Sequence, residues 1–170
     1  MSYLFFLRLF HIVCGVFWAG ATFYLAMFII PAVKALGPDG GKFMQQLSKT
    51  NKLPLIMTLA GTLNVLSGIL LMQKLSGNFN MDWFGTHYGI ALSAGGTFAL
   101  IAWIIGITIN RNAVMQMAKM GSEIAKAGAP PTADQQAMLA KLRNTLFTAT
   151  NVVAVFLLLT VICMSVARYW

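Results

Sequence analysis

The chain has 170 residues, 58% of them hydrophobic and 9% charged, and its apolar residues gather in four long blocks, a composition that belongs to an integral membrane protein and not to a soluble domain. The formal net charge of +8 would mark a nucleic-acid surface only as a basic face on a soluble domain. The basic residues sit instead in the connections between apolar blocks, so the lipid bilayer is the expected partner and nucleic acid is not.

A membrane-spanning helix needs about 20 apolar residues, and the first block, Leu9 to Ile30, meets that length within a helix expected over 4–31. Its Ala19-Gly20-Ala21 triplet looks like a cleavage site, but the apolar run continues well beyond it and no basic leader precedes it, which predicts a retained helix. Gly37-Pro38-Asp39-Gly40-Gly41 reads as a turn cluster, and Phe43, Met44 and Leu47 then form a short apolar stripe suited to a membrane interface. The second crossing is expected over 53–75, with Asn64 and Ser67 near its middle. A short polar connection from Ser76 to Thr86 leads to the third crossing, 87–110. From Asn112 to Ala127, Val114, Met117, Met120 and Ile124 recur at helical spacing, with Gln116, Lys119, Glu123 and Lys126 facing away, so an amphipathic helix is predicted over 112–127. Gly128-Ala129-Pro130-Pro131 ends it. Thr132 followed by Gln135 has the spacing of a capping box, restarting a helix over 133–168 that projects beyond the bilayer before crossing it.

With four crossings, the connection between the first and second and that between the third and fourth share one face. That face holds Lys34, Lys42, Lys49, Lys52, Arg111, Lys119, Lys126, Lys141 and Arg143, against Arg8, Lys74 and Arg168 on the other. The asymmetry predicts an all-α integral membrane four-helix bundle forming a single domain over 1–170, in the bacterial inner membrane, with both termini on the outer (periplasmic) side and the amphipathic segments in the cytoplasm.

Ionisable groups inside a spanning helix are rare and functional by default, which singles out His11. It lies 20 residues before Pro31, about 30 Å along a helix, and His87 lies about 33 Å before Ile109 on its own. The two histidines of the chain thus sit at similar outer depth on different helices, and two imidazoles facing each other in a water-free bundle suit axial ligation of a haem iron. Gly15, one turn below His11, and the small residues Gly89, Ala91, Ser93, Ala94, Gly95 and Gly96 would let a flat macrocycle approach the backbone. Arg8 and Arg168 stand near the same outer ends, where guanidinium groups pair with propionates.

Each feature has a plainer account beside this one. Small residues let membrane helices pack closely, His87 stands among Trp83 and Tyr88 in the setting of an aromatic belt, the two arginines can snorkel to head groups, and His11 can form an interhelical hydrogen bond. Copper is the alternative metal, through His11, Cys14 and Met164, since soft ligands select Cu(I). The eleven methionines lack clustering and read mainly as gap-filling residues. Cys14 and Cys163 are expected as free thiols. Asn144, Thr148 and Asn151, at helical spacing on the fourth helix, and Asn64 with Ser67 on the second could line an ion path, but interhelical bonding is the expected role without an embedded carboxylate or lysine.

The stretches Leu7-Arg8-Leu9-Phe10-His11 and Phe17-Trp18-Ala19-Gly20 resemble the first-helix pattern of small bacterial membrane proteins of the copper-resistance protein D type and of the four-helix membrane protoporphyrinogen oxidase (HemJ type), in which a histidine precedes a Trp-x-Gly or Trp-x-x-Gly-like element. The likeness covers about one helix and rests on His11, Trp18, Ala19 and Gly20. It implies haem b binding. Where the oxidase pattern continues with Leu-Pro-Arg, this chain reads Thr22-Phe23-Tyr24-Leu25-Ala26-Met27, so the oxidase reaction is not carried over with it. The expectation is a haem-b membrane protein in electron transfer or an oxidoreductase-type reaction with a quinone or a redox partner protein. Copper handling and a non-catalytic subunit or assembly factor are the alternatives, and self-association into a homo-oligomer is left open.

Overall fold

The computed structural model describes residues 3–169, all of whose regular elements are helical. The chain runs through α1 (Tyr3–Ala35), α2 (Pro38–Lys49), α3 (Leu53–Leu75), α4 (Met81–Phe84), α5 (His87–Ala127) and α6 (Ala133–Tyr169). Four of these, α1, α3, α5 and α6, are long and apolar enough to cross a membrane. Large apolar side chains point away from the protein along all four, among them Val16 (69% exposed), Leu66 (54%) and Val155 (58%). Such a surface is stable against hydrocarbon and not against water.

Local chemistry fixes the helix ends. Thr132 accepts from the Gln135 backbone N–H while Gln135 bonds back to the Thr132 N–H, a reciprocal cap that satisfies two orphan donors at the start of α6. Thr86 Oγ1 accepts from Gly89 N at 3.0 Å and starts α5. Pro38 opens α2 at the first helical turn, where its missing N–H costs nothing. Of the expected turn cluster 37–41, only Gly37 stands outside the helix, at φ +55°. Gly40 is helical and needed there, since a Cβ would overlap the Val33 carbonyl oxygen where α2 folds back on α1. Nor does the third apolar block end its helix near 110. Ile109-Asn110-Arg111-Asn112 contains no breaker, so α5 passes through one π-helical turn, Gly106–Asn110, into the amphipathic stretch and stops at Gly128, φ +64°. The composition changes there from apolar to amphipathic, and the helix continues across the change.

The spanning helices associate as two pairs, α1 against α3 and α5 against α6, with weaker packing between the pairs. Trp18 and Ala19 of α1, Ala102 of α5, and Val153 and Leu157 of α6 plug the middle of the bundle, joined by Met57 and Ala60 of α3. Toward the basic end, Ile30, Val33 and Phe147 form a second cluster, and Ala113, Leu142 and Leu146 a third. Toward the end that carries the chain termini the pairs diverge. A cavity of about 840 Å³ opens between them.

Candidate functional site

The cavity takes Arg8 and His11 from α1, Asn64, Gly68 and Met72 from α3, Tyr88, Ser93 and Gly96 from α5, and Met164 and Arg168 from α6. Its volume falls within the roughly 300–1,000 Å³ of small-molecule and cofactor sites, and its wall is mainly apolar.

His11 is locked in place by the α1–α3 seam. Its Nδ1 lies 3.0 Å from the Asn64 carbonyl oxygen and 3.1 Å from Ser67 Oγ. A carbonyl oxygen can only accept, so Nδ1 carries a proton, and in the neutral form of the ring the lone pair is on Nε2. Among the described residues no donor reaches Nε2. The Asn64 side chain is itself spoken for, because its Nδ2 donates to the His11 carbonyl oxygen at 2.8 Å. Ser67 Oγ donates into its own helix, with Leu63 O at 2.7 Å and Asn64 O at 2.9 Å, and offers a lone pair toward Nδ1. Two helices are thereby tied through one imidazole whose tautomer is set by a backbone atom. Metal-binding histidines are oriented in the same way, by donating the other ring N–H to a backbone carbonyl or carboxylate.

Glycines make the tie possible. A Cβ at Gly15 would stand 2.8 Å from Asn64 Nδ2, one at Gly68 3.0 Å from His11 Cε1, and one at Gly61 3.0 Å from Trp18 Cε2. Gly15 therefore gives passage to an amide, and it lies outside the cavity lining. Gly68, which the sequence did not single out, is the residue that clears space for the ring. Its signal was present in the i, i+3, i+7 spacing of Gly61, Asn64 and Gly68, which puts all three on one face of α3.

Arg8, His11 and Arg168 line one cavity, and Met164 joins them. His87 does not: it is the first residue of α5, exposed, outside the cavity lining. Equal depth was the basis for pairing it with His11, and depth says nothing about which way a residue faces around its helix. Cys14 also lies outside the lining, and Cys14 and Cys163 are free thiols. No cluster of three or more His, Cys, Asp or Glu forms among the described residues. The set drawn together for copper thus reduces to His11 and Met164. Ser93 contributes a buried hydroxyl with no hydrogen-bond partner among the described residues, on the α5 wall of the cavity. A buried polar atom in that condition costs about 1–3 kcal/mol unless something in the cavity bonds to it.

At the mouth, Gly77, Asn78 and Phe79 all adopt positive φ, between +63° and +65°. The turn is held by Phe79 N donating to Ser76 Oγ at 2.8 Å. It leads through α4 to Phe84, which lines the cavity.

Comparisons of this chain with family models, with curated proteins and with solved structures give no match.

Proposed function

We propose that the protein is a small membrane haem protein, holding a b-type haem in the cavity between its helix pairs and passing electrons to or from a quinone or a redox partner protein. The observation that carries this reading is His11: an imidazole with Nδ1 committed to the Asn64 carbonyl, and Nε2 without a hydrogen-bond partner among the described residues, on the wall of an apolar cavity of about 840 Å³. The haem would supply one-electron chemistry, with burial and axial ligation setting its potential.

The chain's own groups have separable tasks. His11 Nε2 would donate its lone pair to the iron, with Asn64 and Ser67 fixing the ring's orientation. Arg8 and Arg168, exposed at the terminal end of the cavity, suit carboxylate propionates. Met164, also in the cavity lining, offers a thioether, a donor that with histidine raises the potential of a haem. The apolar wall excludes water. The basic residues near the ends of α1 and α5 and in α2 favour an orientation with those ends in the cytoplasm of a bacterium, the termini outside and the haem toward the outer leaflet.

A visible spectrum of the full chain, purified in mild detergent from haem-replete cells, tests the proposal. A Soret band, with sharp α and β bands on dithionite reduction, is the expected result. A colourless preparation overturns it and leaves the His11 cluster as a device for pairing helices, while stoichiometric copper in the same sample would redirect the site to Cu(I).

A further inference from the structure

The outward face of α6 carries polar side chains in the half of the span nearer the basic end. Asn144, Thr148 and Asn151 recur at i, i+4 and i+7 and are all exposed. Farther along, the same face continues as Val155, Leu158 and Ile162, exposed and apolar. Asn151 stands eight residues beyond Arg143, about 12 Å along the helix axis, inside a hydrocarbon layer about 30 Å thick.

Most hydroxyls of the spanning helices satisfy themselves. Even the exposed Thr97, Thr108 and Ser165 each donate to the carbonyl four residues earlier. The side chains of Asn144, Thr145, Thr148 and Asn151 make no hydrogen bond to any described residue. An amide facing hydrocarbon without a partner is expensive. Alongside lies an open groove of about 420 Å³ lined by Ile105 and Ile109 of α5 and by Lys141, Asn144, Thr145, Thr148 and Ala149 of α6. Ala149 in this stretch of α6 is small, which favours close approach of another helix.

We infer that this face is the contact with a second copy of the chain, two α6 helices meeting across a two-fold axis along the membrane normal. Two copies inserted with the same orientation present identical residues at equal depth across such an axis. An asparagine amide both donates and accepts, so Asn144 and Asn151 are each their own complement. A foreign helix would need matching polar groups at three separate depths, and the second copy supplies them automatically. Lys141, the one charge near this face, falls at the aqueous end where salt screens its repulsion.

The inference is independent of haem. Full-length chains labelled separately with donor and acceptor dyes, reconstituted in phosphatidylcholine–phosphatidylglycerol vesicles over a range of protein-to-lipid ratios, should show energy transfer above the level of random proximity. The double substitution Asn151→Leu with Thr148→Val should weaken association about tenfold or more, from the loss of interhelical bonds at two depths. Wild-type chains without transfer, or a variant that associates as well as wild type, overturn the proposal. In a second measurement that needs no loss of folding, Thr148→Cys should cross-link to a dimer under mild oxidation, whereas Leu59→Cys on the outward face of α3 and the unaltered chain should not. Equal yields from both sites, or none from Thr148→Cys, overturn it as well.

Discussion

The seam between α1 and α3 and the outward face of α6 both carry polar side chains within apolar helices, and they treat them in opposite ways. At the seam, His11, Asn64 and Ser67 bond to one another and to backbone, and Gly15 and Gly68 leave the space for the Asn64 amide and the His11 ring. On α6, Asn144, Thr148 and Asn151 are exposed and make no side-chain hydrogen bond to any described residue. The difference teaches that residue type alone does not assign a role inside a membrane. A polar group closed by its own chain organises a site, and one left open calls for a partner.

The largest effect should come from the seam. His11→Ala should remove the haem spectrum altogether, measured as the Soret-to-280 nm absorbance ratio, whereas Asn151→Leu should leave that ratio unchanged; a shared loss would erase the distinction between the two regions. Next in size is Gly68→Ala, whose new Cβ pushes against His11 Cε1. With the ligand ring displaced, haem affinity should fall by about tenfold or more, the range seen when the groups that hold a ligating histidine are disturbed, in a titration of the apoprotein.

Gly15→Ala tests the packing more than the cofactor. Its Cβ would meet Asn64 Nδ2, and overpacking of that kind costs about 1–3 kcal/mol, which should appear as a lower midpoint in denaturation by sodium dodecyl sulfate. Asn64→Ala removes the bond to the His11 carbonyl but keeps the backbone acceptor for Nδ1. A loss near 0.6 kcal/mol, typical of one interhelical bond, should therefore be accompanied by an unshifted haem spectrum. The smallest effect belongs to Asn151→Leu in dilute vesicles, where the separated chain loses no internal bond and its denaturation midpoint should not fall.

Much of the architecture was legible before any coordinates. Four apolar stretches of spanning length, the Thr132–Gln135 cap and the break at Gly128 follow from composition and local chemistry, which act over a few residues. The continuity of α5 was not legible, because the loss of apolar character after Ile109 looks like an end, although no breaker interrupts the helix there. In the site, His11 stood out through its rarity. The absence of His87 from the cavity could not be read from depth along the helix, and the partnership of His11 with Asn64 and Gly68 depends on which helices are neighbours.

The sequence by itself determined the number of spanning helices, their approximate limits, the basic end and the exceptional histidine, since hydropathy and charge are properties of residues against lipid and water. Only the tertiary structure decided the rotation of each helix about its axis and the pairing of α1 with α3 and α5 with α6. A helix apolar on every side can turn in hydrocarbon with little change in solvation, so its facing is set by contact: Asn64 Nδ2 over Gly15, and the His11 ring over Gly68. The packing of the two pairs puts Met164, Arg8 and Arg168 around one cavity with His11 and leaves His87 and Asn151 outside its lining.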